Sequence, residues 1–134
     1  MPENVEIARQ VIEAFRAGLA QGDPGAVFDC GFVAANAEWV PAMDAAGFEA
    51  VYRGREGFVE LMRMWTETFE WTIDLEEVLD LGDDRVVAFA HQRATGKASG
   101  ASIGQRMAMR FELENGQVIR VRNFLNRDEA LEVA

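Results

Sequence analysis

Apolar residues fall at Val5, Ala8, Val11, Ile12, Phe15 and Leu19, the spacing of one helical stripe. Asn4 stands where a side chain caps that helix, and Glu3 and Glu6 sit at the positive end of its dipole. Gly22 ends it. Asp23-Pro24 then supplies a cap and a proline at the first helical position, which predicts a short helix through about Cys30, stopped by Gly31. Ala35–Val40 reads as a strand broken by Pro41, Met43–Phe48 as a loop, and Glu49–Arg53 as a short strand. Gly54-Arg55-Glu56-Gly57 leads into a second long helix, with Phe58, Leu61, Met62, Trp65 and Phe69 on one stripe.

Beyond this helix the period changes to two. Trp71, Ile73, Leu75, Leu79 and Leu81 are separated by Thr72, Asp74, Glu76 and Asp80, and Gly82-Asp83-Asp84 turns the chain. Gly96–Gly104, with three glycines and two serines, reads as a flexible connection. Met107, Met109, Phe111 and Leu113 alternate with Arg106, Ala108, Arg110 and Glu112, and Asn115-Gly116 is a hairpin turn signal. The last strand sets Ile119, Val121, Asn123 and Leu125 against Arg120, Arg122 and Phe124, and Asp128–Val133 reads as a closing helical turn. Helices followed by four successive antiparallel strands make an α+β pattern, and a curved sheet wrapped around the helices leaves a cavity suited to a small ligand.

The strand Val86–Thr95 carries the one histidine. Side chains alternate along a strand, so Val87, Phe89, His91, Arg93 and Thr95 share one face, and Val86, Ala88, Ala90, Gln92 and Ala94 share the other. If the Phe89 face points inward, His91 and Arg93 go with it, and an uncompensated buried charge costs several kcal/mol. Three solutions exist: the two groups look into a wet cavity, they are paired, or the opposite face is the buried one.

A chain of 134 residues, 49% hydrophobic and 27% charged, is long enough for one globular domain spanning 1–134. A net charge of −10 argues against nucleic acid and against anionic membrane surfaces. No apolar run approaches the roughly 20 residues of a membrane span. The acidic N-terminus lacks the layout of a secretory signal, and a single cysteine, Cys30, excludes an internal disulfide framework, so a cytoplasmic setting is expected. One histidine and one distant cysteine make no metal site. The Gly96–Gly104 segment lacks the Gly-Lys-Ser/Thr ending of a phosphate cradle, and no cofactor is expected.

Several motifs together resemble the nuclear-transport-factor-2-like fold, and within it the SnoaL-like group. They are the loosely spaced Ala17–Asp23, Glu38-Trp39, Tyr52–Gly57, Arg93-x-x-Gly96-x-x-Ser99-Gly100, Asn115–Arg120 and Asn126–Leu131. The resemblance covers nearly the whole chain. It implies a cone-shaped, curved antiparallel sheet around the N-terminal helices, a single SnoaL-like domain, a homodimer through the convex sheet face, and a pocket for a small apolar or oxygenated molecule. Such folds host ketosteroid isomerases, polyketide cyclases, epoxide hydrolases, dehydratases and non-catalytic proteins, so the fold alone assigns no reaction.

The catalytic layouts of similar proteins are absent. Where ketosteroid-isomerase-like proteins carry a tyrosine, a general base and a neutral carboxylic acid, this chain has Phe15, Val40 and Met107. The positions facing the acid/base aspartate of similar cyclases are Val121, Asn123 and Leu125. Laying the fold's cavity face onto the chain selects Val87, Phe89, His91, Arg93, Met107, Met109, Val121 and Asn123. On that layout His91 is the natural proton carrier, Arg93 an oxyanion clamp, and Glu38 the best available acid. Phe15, Trp39, Tyr52, Met62, Trp65, Phe89, Met107, Met109, Val121 and Asn123 are the expected ligand-contact set. An acid/base isomerase, cyclase or hydrolase is one expectation, and a non-catalytic binding protein or dimerisation module of the same fold is the other.

Overall fold

Glu3 has extended backbone (φ −69°, ψ 157°) and its carbonyl accepts the Ile7 amide at 3.0 Å, so it caps the first helix, α1 (Asn4–Gln21). Asn4, expected as the cap, instead sends its side-chain amide to Asp84 Oδ1 at 3.1 Å. This computed structural model describes residues 3–40, 51–124 and 131, without the side chains of Met64, Trp65 and Thr68. At the other end of α1, Gly22 takes φ +74° and Asp23 N–H reaches back to the Gly18 carbonyl at 2.8 Å. Only glycine adopts that backbone without strain, which is why the stripe stops there.

The short helix expected after Asp23 is present as a 3-10 helix, Pro24–Asp29. It is followed by β1 (Val33–Val40), β2 (Tyr52–Arg53), α2 (Gly54–Thr68), β3 (Phe69–Gly82), β4 (Arg85–Gly96), β5 (Ser102–Glu114) and β6 (Gln117–Phe124). The strands form one curved, unclosed sheet in the order β2-β1-β6-β5-β4-β3, antiparallel except where β1 runs parallel to β6. The α+β architecture expected from the sequence is therefore present. The loop at Met43–Phe48 and the start of the Glu49–Arg53 strand lie outside the described residues, as does most of the closing helical turn. No described helix is long and apolar enough to cross a membrane.

Asn115 (φ 54°) and Gly116 (φ 78°) make the two-residue β5–β6 hairpin, and Asp83 and Asp84 (φ 53° and 58°) make the β3–β4 turn. The segment expected as a flexible connection is much tighter. Gly96 N–H donates to the Ala101 carbonyl at 2.9 Å and Gly100 N–H to the Gly96 carbonyl at 2.8 Å. The turn joins strands that run to Gly96 and resume at Ser102, with Thr95 and Ser102 hydroxyls 2.9 Å apart.

That turn fixes the register of β4 on β5, and the register decides which face is buried. Partners directly opposite in an antiparallel pair project to the same side. Ala88 faces Met109 and Ala90 faces Met107, whereas Phe89 faces Ala108, His91 faces Arg106 and Arg93 faces Gly104. Val86, Ala88 and Ala90, all 0% exposed, belong to the main core with Met107, Met109 and Phe111. The expectation that Val87, Phe89, His91 and Arg93 share the face of Met107 and Met109 is thus corrected. Small alanines on β4 leave space for the helices, and the larger Val87 and Phe89 form a second, smaller cluster on the outer face with Ala108, Leu79, Leu81, Phe124 and Leu131.

Bulges complete this two-sided arrangement. The β3–β4 register shifts between Leu75 and Glu77, so Trp71, Ile73 and Leu75 keep to one face while Leu79 and Leu81 cross to the other. A shift between Glu112 and Leu113 puts Val118 in the core and leaves Ile119 beside an outer polar groove with Glu38 and Arg53.

Candidate functional site

Between the helices and the inner sheet face lies a cavity of about 510 Å³ including its open mouth, of which about 40 Å³ admits the centre of a water molecule. That is room for roughly three waters. Phe15 and Leu19 reach it from α1, Leu61 and Met62 from α2, and Trp39 from β1. The sheet supplies Trp71, Ile73, Gln92, Met107, Met109 and Asn123. The helices contribute through their apolar stripes, and the strands through every second residue of the face that the register turns inward.

One wall is aromatic and rigid. Trp39 lies 6.0 Å from Phe15 and 5.0 Å from Phe58 between ring centroids, and Phe58 meets Phe15 edge-on at 5.7 Å. The lining also holds Met62 from α2 and Met107 and Met109 from β5, unbranched side chains that move aside at small cost. Two amides, Gln92 and Asn123, are the polar side chains of the described lining apart from the indole N–H groups. None of the described lining residues titrates.

Of the expected contact residues, Phe15, Trp39, Met62, Met107, Met109 and Asn123 do line the cavity. Tyr52 is packed in the core at 5% exposure, beside Trp39 in the β1–β2 pair, and Val121 is in the core next to Phe111. Neither is among the described lining. Phe89 belongs to the outer cluster. The Trp65 side chain lies outside the described residues. Gln92, Trp71, Ile73, Leu61 and Leu19 were missed as lining residues. For Gln92 the signal was present, since it alternates with His91, but it needed the correct face.

The three residues expected to carry chemistry stand on the outer face. His91 is half-buried, its imidazole laid over Gly104 so closely that a Cβ there would come within 3.1 Å of Cε1. Its strand neighbours are Arg106 and Asp74, and Arg106 Nε lies 3.5 Å from Glu76. Arg93 is exposed, between Thr72 and Gly104. Neither residue reaches the cavity across the sheet.

Glu38 alternates with Trp39 and therefore points outward when Trp39 points inward. It accepts hydrogen bonds from Arg120 Nη2 at 2.7 Å and Nε at 3.1 Å, and from Arg53 Nε at 2.6 Å. Arg120 in turn approaches Glu112 at 3.6 Å. The hydrogen bonds from Arg120, then those from Arg53, hold the Glu38 carboxyl below its ordinary value. This group clamps β1 and β2 to β6; it is a structural ion pair and not a cavity acid.

A pH prediction follows from the sign of that shift. A carboxyl whose folded value is depressed contributes stability above its unfolded value, and the contribution is lost as pH falls through the folded value. The difference in stability between the wild type and Glu38→Gln is expected to be constant near neutrality and to shrink as pH falls below about 4.5. Urea unfolding from pH 7 to pH 3 reads it; a difference that does not change with pH would show that Glu38 is not held by these arginines.

The sequence profile of the SnoaL-like domain matches residues 12–121. The chain belongs to the SnoaL-like family. Solved structures agree on the fold. An NTF2-like protein of unknown function from Burkholderia pseudomallei K96243 is 20% identical, with 96% of this chain and 95% of that chain covered and a TM-score of 0.75. TerC, co-crystallised with polyporic acid, is 20% identical over 97% of this chain and 98% of its own, at a TM-score of 0.74. A provisional polyketide cyclase from Xanthomonas campestris pv. campestris is 18% identical over 96% and 97%, at 0.72. At such identities the likeness concerns the fold. No curated protein matches this chain significantly. In this SnoaL-like protein the described cavity is lined mainly by apolar and aromatic side chains, with the amides of Gln92 and Asn123 among them.

Proposed function

We propose that this SnoaL-like protein binds a small, uncharged, mostly apolar molecule in the cavity and moves no proton of it with a side chain of the described lining. One observation carries this reading: eleven described side chains line the cavity, two are amides, and none is an acid or a base. A charged ligand would enter an apolar space with no described counter-charge, at a cost of several kcal/mol. A neutral ring system instead meets Trp39, Phe15 and Trp71 on its faces and displaces the methionines.

Isomerase, cyclase or hydrolase chemistry remains the family's alternative, and the provisional cyclase among the structural relatives favours it. In this chain it would proceed by positioning and by hydrogen bonds from the two amides, since His91, Arg93 and Glu38 stand across the sheet. A cytoplasmic homodimer is part of the same proposal, resting on the single cysteine and the family resemblance; sedimentation equilibrium reads the mass against 14.9 kDa for one chain.

Met109→Trp tests the binding reading. Its side chain fills space between Ala88 and Asn123, and the larger indole would occupy the cavity. Small neutral aromatics are expected to raise the wild-type melting temperature and to leave that of Met109→Trp unchanged. His91→Ala is expected to bind as the wild type does. Equal shifts in wild type and Met109→Trp would place the ligand elsewhere.

A further inference from the structure

Asn123 is a polar side chain of the described cavity lining that its surroundings do not account for. It sits on β6 opposite Met109, which sits opposite Ala88 on β4, so its amide belongs to the inner face. Its Oδ1 is shut away from solvent and has no hydrogen-bond partner among the described residues. The other cavity amide is out of reach. Gln92 is four residues along β4 from Ala88 and two strands from β6, roughly 14 Å along the strands and about 10 Å across them on a flat sheet. Leaving a buried amide oxygen unpaired costs about 1–3 kcal/mol, and such groups are rare in folded proteins.

From this we infer that Asn123 is the specificity-determining residue of the cavity, and that its amide oxygen selects a ligand carrying a neutral O–H or N–H donor on an apolar, ring-sized frame. The inference rests on the binding reading above and adds to it the polarity of the recognised group. An apolar isostere of the ligand leaves the oxygen unpaired, so discrimination comes from the site's own orphan group and not from space. A charged donor is disfavoured because no described lining residue supplies a compensating charge. A carboxylate brings only acceptors and gains nothing at Oδ1. The ligand class is thus a phenol, a ring alcohol, an enol or a ring N–H compound.

Phenol and toluene make the test, being nearly the same size and differing in the donor. Affinities of both are measured by ligand-observed NMR for wild type and for Asn123→Leu, which keeps the volume and removes the amide. The ratio of the toluene Kd to the phenol Kd is expected to be at least about ten-fold larger in the wild type than in the variant, a difference of about 1.4 kcal/mol. Dividing one ratio by the other cancels the different hydration of the two probes. Asn123→Leu without ligand is expected to melt no lower than the wild type, because it deletes an unpaired polar group.

Equal ratios in the two proteins would overturn the role of Asn123 and leave the binding reading standing; that is the result if a trapped water already satisfies Oδ1. Absence of binding by both probes to the wild type would overturn both readings. Should Asn123→Leu not fold, the wild type alone decides through the side-chain 15N–1H resonances of Asn123. They are expected to shift with phenol more than with toluene, and equal shifts overturn the inference.

Discussion

Ala90→Asp will unfold the protein or destabilise it by more than about 4 kcal/mol at pH 7, whereas His91→Asp, one residue on, will cost no more than about 1 kcal/mol. Ala90 is 0% exposed and packs in the main core opposite Met107. A carboxylate there loses its water without gaining a described counter-charge, and its volume overfills a site shaped for a methyl group. His91 stands on the outer face, where Arg106 across the β4–β5 pair offsets the nearby Asp74. The pH dependence carries the same signature. A carboxyl whose folded value is raised imposes no penalty below its unfolded value near about 3.9, and the penalty grows as pH rises. Ala90→Asp should therefore recover stability relative to wild type on acidification, and His91→Asp should not. Urea denaturation at pH 7 and pH 4 measures both. If the two substitutions cost the same, the inward face of β4 is misassigned and His91 returns as a candidate for the cavity.

Phe111→Ala is expected to cost about 3–5 kcal/mol, the usual range for emptying a fully buried aromatic site. Phe111 is 1% exposed on the central strand β5, flanked by Val86 on β4 and Val121 on β6. It lies two residues from Met109 on the same face, so the space it leaves adjoins the cavity. The void should bind benzene, and the ligand should restore part of the lost stability by mass action. Thermal unfolding of the variant with and without benzene reads both effects. A loss below about 1.5 kcal/mol would mean that the neighbouring side chains close over the site, and a variant indifferent to benzene would mean that the new space is not continuous with the cavity.

The residues that proved legible are those whose environment is set by neighbours close in sequence. Phe15, Met62 and the rest of the helix stripes carry the 3.6-residue period, and both helices bury that face. Met107, Met109 and Asn123 carry the period of two; the Asn115-Gly116 turn ties β5 to β6, and the shift between Glu112 and Leu113 then brings Asn123 opposite Met109. Asn4 was misjudged as a cap because its partner, Asp84, is eighty residues away. The Glu38 carboxyl was undecided for the same reason: Arg120 is remote in sequence and arrives only through the parallel β1–β6 pairing.

The sequence by itself determined the α+β class, the two helices, the four consecutive strands and the alternation of faces within the unbulged stretches, because these rest on local periods and turn chemistry. The bulges that send Leu79 and Leu81 to the outer face and part Ile119 from Val121 appear only in the structure. The sequence also displayed the oddity of His91 and Arg93 on the same side as Phe89. Which side of β4 is inside was decided by the tertiary structure alone. The tight Gly96–Ala101 turn fixes His91 opposite Arg106 and Ala90 opposite Met107, and a one-residue slip would reverse every side chain of the strand. The burial puzzle of His91 and Arg93 is thus resolved by the outer face. On the inner face stands Asn123, whose amide oxygen is shut away from solvent without a hydrogen-bond partner among the described residues.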